Sequence, residues 1–107
     1  MILEIYIPDS IALDPDVIVE WRAFLQAMTN RRCVGALRYG DRPKKRQRYL
    51  SRMARELRFY RQAGNFEQLL NIGVYAFCES VAPENPKLHF DPTADSVTRE
   101  EFGGNIA

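Results

Sequence analysis

Apolar residues recur at helical spacing in three stretches of the chain. The first begins after Asp14, which is a suitable N-cap, and Pro15 fits the first helical position. Its apolar residues recur at spacings of four, three, one and three, as on one face of a helix, and Asn30 is a plausible end of the helix. These residues are Val17, Trp21, Phe24, Leu25 and Met28. The pattern predicts an amphipathic helix that ends near Asn30.

The clearest helical pattern begins at Pro43 and ends at Gly64, in a position that favours a left-handed residue. Its apolar stripe consists of Leu50, Met53, Leu57 and Tyr60. A rotation of about 100° per residue places a row of cations on or beside the opposite side. Phe59 falls among the cations and not on the stripe. We therefore predict a helix with one buried side and one basic side.

A third helix is predicted from Asn65, with Gln68 completing a variant of the capping box. Its main apolar face consists of Phe66, Leu69, Leu70, Gly73, Val74, Phe77 and Val81. Glycine is costly inside a helix, so Gly73 suggests the close approach of another backbone. Only four residues separate the second and third helices, which predicts an antiparallel hairpin.

The third helix is apolar on more than one side, since Ile72, Tyr75 and Ala76 lie off the main face. Such a helix is either central in its domain or pressed against a partner. The second alternative predicts a homodimer formed through this helix.

Strand-like patterns are short. Residues 2–7 predict one strand closed by Pro8, and residues 33–39 predict either a second strand or a basic loop. Residues 87–90 suggest a further strand or a segment that covers the core. The expected fold is mainly α, a small α+β domain over residues 1–95, with an extended, mobile and acidic tail at 96–107.

The composition of this 107-residue chain, of which 46% is apolar, limits the cellular compartments in which the protein is expected. No apolar run approaches the ~18–20 residues of a membrane span, and the first residues lack a secretory pattern. Cys33 and Cys78 are far apart and form no metal-binding motif. We expect a cytoplasmic, reduced setting with no membrane contact and no cofactor.

Charge is distributed unevenly, although the net charge of the chain is +1. Residues 31–61 contain twelve of the fifteen basic residues and two of the fourteen acidic ones, a net charge of +10. The remaining residues carry −9. Such a basic segment attracts polyanions. The alternative is a solvated surface whose charges meet acidic groups within the fold or between subunits.

Candidate phosphate contacts follow from this segment, because arginine can donate two hydrogen bonds to one phosphate and an aromatic ring among arginines can stack on a base. The candidates are Arg31, Arg32, Arg38, Lys44, Lys45, Arg48, Arg52, Arg55, Arg58 and Phe59. Alternatively, Phe59 is covered by the N-terminal segment or by a second subunit.

Two resemblances bear on function. The segment "GNFEQLLNIGVYAFCESVAPENPKLHF" is similar to parts of small phage and mobile-element proteins, which implies action on nucleic acid, nucleotides or host defence. Residues 48–80 resemble the MazG-type all-α nucleoside triphosphate pyrophosphohydrolases. That family holds magnesium with E-x-x-E and E-x-x-D pairs, whereas here Glu56 has Met53 and Phe59 three residues to either side, and Leu70 stands three residues after Glu67. The resemblance therefore implies a degenerate site that lacks most metal ligands.

No other pattern predicts catalysis. His89 is the single histidine, with Asp91 two residues away, and it is most simply structural. The chain has no P-loop and no dinucleotide-binding motif. We predict no catalytic residue and no metal site.

Three hypotheses follow. The first is non-catalytic binding of nucleic acid, or less favourably of a nucleotide, through the basic helix and the loop before it. The second is a protein-interaction module, an inhibitor or accessory subunit that docks its basic face on an acidic protein. The third is a degenerate nucleotide pyrophosphohydrolase.

Overall fold

Residues 1–85, which the computed structural model describes, form a small helical domain. The helices are α1 (Pro15–Tyr39), α2 (Tyr49–Ala63) and α3 (Phe66–Val81), and a short 3-10 turn (Lys45–Gln47) precedes α2. α3 packs against both α1 and α2, so it is the central helix. The prediction of a mainly helical fold is confirmed. The predicted segment at 87–90 and the tail at 96–107 lie outside the described residues.

Local capping explains where the helices begin and end. The Asp14 carboxylate accepts a hydrogen bond from the Asp16 N–H at 2.7 Å, and the Asn65 side chain accepts one from the Glu67 N–H at 2.9 Å. Gly64 has a φ of 69° and its N–H bonds to the carbonyl of Tyr60. These caps agree with the sequence, because each depends on side chains or glycine within a few residues of the helix end.

The strand predictions at 2–7 and 33–39 were wrong, since no strand occurs within residues 1–85. α1 continues past Asn30, whose side chain accepts a hydrogen bond from Gln26 one turn earlier and so does not cap the helix. The helix ends at Gly40, with a φ of 91°. Residues 33–39 are therefore helical, which leaves the exposed segment 2–7 without the partner strand that was expected.

α2 begins at Tyr49 and not at Pro43, as predicted. Arg48 adopts a left-handed conformation with a φ of 53°, which interrupts the helix between the 3-10 turn and α2. The Tyr49 hydroxyl also accepts a hydrogen bond from the Lys44 N–H at 2.9 Å. This bond holds the preceding segment against the first turn of α2 instead of letting it continue as helix.

The buried side of α2 also differs from the predicted stripe. Leu50 and Leu57 are 45% and 41% exposed, whereas Met53 and Tyr60 are partly buried. Tyr49 is buried, with 7% of its surface exposed. The buried ring of Tyr49 packs beside Tyr75 of α3, with 6.2 Å between the ring centroids.

The helices found within residues 1–85 include none that is both long and apolar enough to cross a membrane.

Candidate nucleic-acid interface

Five arginines line one groove beside the first turns of α2, which we call the basic groove. Its volume is about 420 Å³. The lining residues are Arg46, Gln47, Arg48, Ser51, Arg52, Arg55 and Arg58. Arg52, Arg55 and Arg58 of α2 are three residues apart, and the N-cap Arg48 precedes Arg52 by four, so these arginines lie towards one side of the helix. The sequence prediction of a basic side therefore holds for Arg48, Arg52, Arg55 and Arg58 as a geometric arrangement.

The charge of the basic groove is not neutralised from within. No acidic side chain lines it, and Arg46 and Arg55 form no hydrogen bond or ion pair within residues 1–85. α2 also begins without a side-chain acceptor for its first N–H groups. A helix N-terminus carries partial positive charge. The groove thus combines free guanidinium groups with a favourable helix end for an anion.

Phe59 lies on the same side of α2 as the basic groove, because it follows Arg55 by one turn. It is 38% exposed, and the Arg58 guanidinium lies 5.7 Å from the centroid of its ring. Neither the N-terminal segment nor another described element covers it fully. Its ring is therefore accessible beside the arginines.

A second cleft, which we call the tyrosine cleft, lies where the end of α1, the start of α2 and the second half of α3 meet. Its volume is about 420 Å³, and it has cationic and aromatic walls with no acidic residue. The lining residues are Arg32, Gly35, Tyr39, Gly40, Arg42, Pro43, Lys44, Gln47, Tyr49, Arg52, Val74, Tyr75 and Cys78. Arg52 and Gln47 line both this cleft and the basic groove, so the two are adjacent.

The wall shared by the two clefts is ordered by hydrogen bonds. The Arg52 Nε donates to the Gln47 carbonyl at 2.7 Å, and its guanidinium also donates to the Gln47 Oε1 at 3.3 Å. The same guanidinium lies 6.0 Å from the centroid of the Tyr75 ring. The rings of Tyr49 and Tyr75 are 6.2 Å apart. Arg52 is therefore held in place before any ligand binds.

Arg32 of α1 and Cys78 of α3 both line the tyrosine cleft. The Arg32 guanidinium donates to the carbonyl of Asp41 and lies 5.7 Å from the centroid of the Phe77 ring. Burial raises the pKa of the Cys78 thiol, while the charge of Arg32 and a hydrogen bond with Tyr49 act in the opposite direction. Cys78 is consequently a buried neutral thiol beside a cation.

Four predicted contacts line neither cleft: Arg31, Arg38, Lys45 and Phe59, the last of which lies beside the basic groove. Arg31 forms an ion pair with Glu67 at 2.6 Å and donates a hydrogen bond to Asn71 at 2.8 Å. It therefore joins α1 to α3. Arg38 and Lys45 are exposed and have no hydrogen-bonded or ionic partner within the described part of the chain.

Sequence reasoning did not select several residues that line the clefts, above all Arg42, Arg46, Tyr39 and Tyr75. Arg42 and Arg46 belong to the basic segment, so their charge alone could have selected them as candidate contacts. Tyr39 was assigned to a strand or loop, and Tyr75 was noted only for lying off the main face of α3. Their convergence depends on packing between segments that are distant in the chain.

Glu56 and Glu67, on which the magnesium-site resemblance depends, have separate environments. Glu67 pairs with Arg31, and Glu56 is partly buried on α2. No group of three or more histidine, cysteine, aspartate or glutamate side chains converges within residues 1–85. His89 lies beyond the described range.

Comparison of the chain with protein-family models, with curated proteins and with solved structures found no match.

Proposed function

We propose that this protein binds a phosphate-bearing partner, nucleic acid in preference to free nucleotide, through the basic groove. The observation that carries the proposal is that five arginines converge on one groove without an acidic side chain. Regularly spaced guanidinium groups suit the repeated phosphates of a strand better than the single phosphate group of a small molecule. Binding requires no catalytic group.

Phe59 supports the preference for single strands. A ring exposed beside arginines offers a stacking surface to an unpaired base, and such stacking contributes about 1–3 kcal/mol per base. Bases within a duplex are already stacked on each other, so they gain less from such a ring. We therefore expect single-stranded DNA or RNA to bind more tightly than duplex of equal length.

The proposal is tested by titrating labelled single- and double-stranded DNA and RNA at several salt concentrations. Affinity should fall with salt by a log–log slope of about 0.7–0.9 for each phosphate contacted. Absence of binding to all four at low salt would refute the proposal.

A charge-matched pair of double variants tests the location. Arg46→Ala/Arg55→Ala removes two groove charges that have no partner within residues 1–85, and should reduce the salt slope by about 2. Arg22→Ala/Arg61→Ala removes the same charge from outside both clefts, and should leave the slope nearly unchanged. Equal losses in the two variants would show that net charge, and not the groove, determines binding.

The second candidate is docking on an acidic protein surface. It is favoured by the exposed Leu50 and Leu57 on α2, since protein interfaces combine arginine with apolar residues. Mutation of these leucines to serine distinguishes the two functions, because it would weaken a protein complex but not the binding of nucleic acid. Polyglutamate binding that exceeds nucleic-acid binding at equal salt would favour this alternative.

A further inference from the structure

The tyrosine cleft combines cations that lack partners with an exposed aromatic ring. Arg42 and Lys44 line it, and neither side chain has a carboxylate partner among residues 1–85. Tyr39 is 78% exposed and also lines the cleft. The volume of about 420 Å³ falls within the ~300–1,000 Å³ typical of small-molecule sites.

From this combination we infer that the tyrosine cleft binds the base and phosphate of a single nucleotide, at the end of a strand whose next phosphates occupy the basic groove. The inference deepens the proposed function and rests on it. Tyr39 stacks on the base, while Arg42 and Lys44 contact the phosphate.

The side chains that line the tyrosine cleft favour a nucleotide over other ligands. A carboxylate-bearing ligand would use the cations but leave the tyrosine ring without a flat partner. An apolar ligand would leave four cations, including Arg32 and Arg52, facing an uncharged group. A nucleotide satisfies both kinds of wall, because its base has a flat π-face and its phosphate accepts hydrogen bonds from cations.

Continuity between the two clefts favours a nucleotide that belongs to a strand over a free nucleotide. Arg52 and Gln47 line both clefts, so a strand can pass from one to the other without crossing an uncharged surface. A free nucleotide would have the same base and phosphate chemistry but would leave the groove empty. The two sources are therefore separated by comparing strands that differ only in whether they have an end.

The experiment measures affinity for four probes: a single strand with a 5′-phosphate, the same strand with a 5′-hydroxyl, the same sequence closed into a circle, and a nucleoside 5′-monophosphate. The phosphorylated linear strand should bind about tenfold more tightly than the circle, as expected for one stacked base. A monophosphate that binds as tightly as the linear strand would assign the cleft to free nucleotides and overturn the strand-end assignment.

Two variants with matched controls locate the effect. Tyr39→Ala and Arg42→Ala should each abolish the linear-over-circular preference, and since Tyr39 and Arg42 are exposed, folding should be retained. Tyr6→Ala and Arg38→Ala remove an exposed tyrosine and an exposed arginine from outside the cleft, and should preserve the preference. Helical circular dichroism verifies folding in all four.

Cys78 lines the cleft but is buried, so its alkylation reports opening of the cleft, which a bound strand should suppress, and the exposed Cys33 is an internal control. The linear strand should slow alkylation of Cys78 severalfold and leave Cys33 unaffected. A phosphotyrosine peptide that protects Cys78 more strongly than the strand would overturn the nucleotide assignment.

Failure of this inference is distinguishable from failure of the proposed function. Equal binding of linear and circular strands, with Arg46→Ala/Arg55→Ala weakening both, would overturn the terminal site and leave the groove function standing. Absence of strand binding altogether would overturn both.

Discussion

The lack of a side chain at Gly73 allows α1 to pack closely on α3. A methyl group placed there would overlap the Met28 Sδ of α1. The sequence indicated a close approach at this position, although the neighbour is a side chain and not a backbone. Gly35, also inside a helix, has nothing within 4 Å of the position that a methyl group would take. The two glycines therefore have different structural consequences.

Replacement by alanine should change the free energy of unfolding in opposite directions at Gly73 and Gly35. Gly73→Ala should lower the free energy of unfolding by about 1 kcal/mol, because overpacking of about 1–3 kcal/mol exceeds the gain of about 1 kcal/mol in helix propensity. Gly35→Ala should raise it by about 1 kcal/mol, since only the propensity gain applies. Urea titration measures both. Equal stabilisation by the two changes would contradict the close approach.

The buried thiol of Cys78 makes stability depend on pH. Burial raises its pKa above the ordinary value of 9.0, so the unfolded chain loses this proton first. The stabilisation is complete below pH 9 and is lost as pH rises towards the folded-state pKa. Urea titrations between pH 8 and 10.5 should therefore show a smaller decline for Cys78→Ala than for the wild type. Cys33→Ala should follow the wild type, and a decline that is equal in all three proteins would contradict the prediction.

At the scale of secondary-structure elements, Arg31 joins α1 to α3 through two polar contacts. Arg31 on α1 reaches both Glu67 and Asn71 on α3, which lie one turn apart. The ion pair is partly exposed, so solvent screens much of its energy. The hydrogen bond to Asn71 adds a second attachment on the same helix face. Arg31 therefore contributes to helix packing, while the phosphate contact that the sequence suggested stays a prediction.

Removal of these contacts should affect stability more than binding. Arg31→Ala should lower the free energy of unfolding by about 1 kcal/mol, the usual order for one exposed ion pair with a hydrogen bond. Arg22→Ala is the control on α1, because Arg22 has no hydrogen bond or ion pair in the described residues. Chemical denaturation and strand titration measure the two effects. A loss of affinity as large as that of Arg46→Ala/Arg55→Ala would place Arg31 on the binding surface.

At the scale of the whole molecule, little apolar surface is covered. Tyr49, Cys78 and Ala82 are the buried apolar residues of the described chain, while many large apolar side chains are exposed. The central position of α3 accounts for its apolar character on two sides. Phe66 and Phe77 of α3 nevertheless stay exposed. Extended apolar surface of this kind usually marks an association site.

Dimerisation through α3 accordingly stays a prediction. Sedimentation equilibrium should give twice the chain mass, because a second copy can cover the exposed phenylalanines. Phe66→Ser should shift the equilibrium towards monomer. Leu37→Ser, which removes an exposed residue of α1, should not. A single-chain mass at all concentrations would contradict the prediction.

Features that depend on neighbouring residues could be predicted from the sequence. The caps at Asp14 and Asn65 and the glycine end at Gly64 follow from side chains and backbone freedom within one turn. The basic side of α2 follows from helical spacing in the same way. The short connection likewise indicated that α2 and α3 pack together. Local interactions are sufficient to form these features, so the composition and residue spacing of the sequence predict them.

Only the tertiary structure decided which of these residues converge. The sequence placed Leu50 and Leu57 inward, but in the structure both leucines are exposed and Tyr49 is buried beside Tyr75. It could not indicate that Tyr39 and Tyr75 line one cleft. The helix period determines which residues share a side of one helix, whereas contacts with other helices determine which side is buried and which groups meet across the gap.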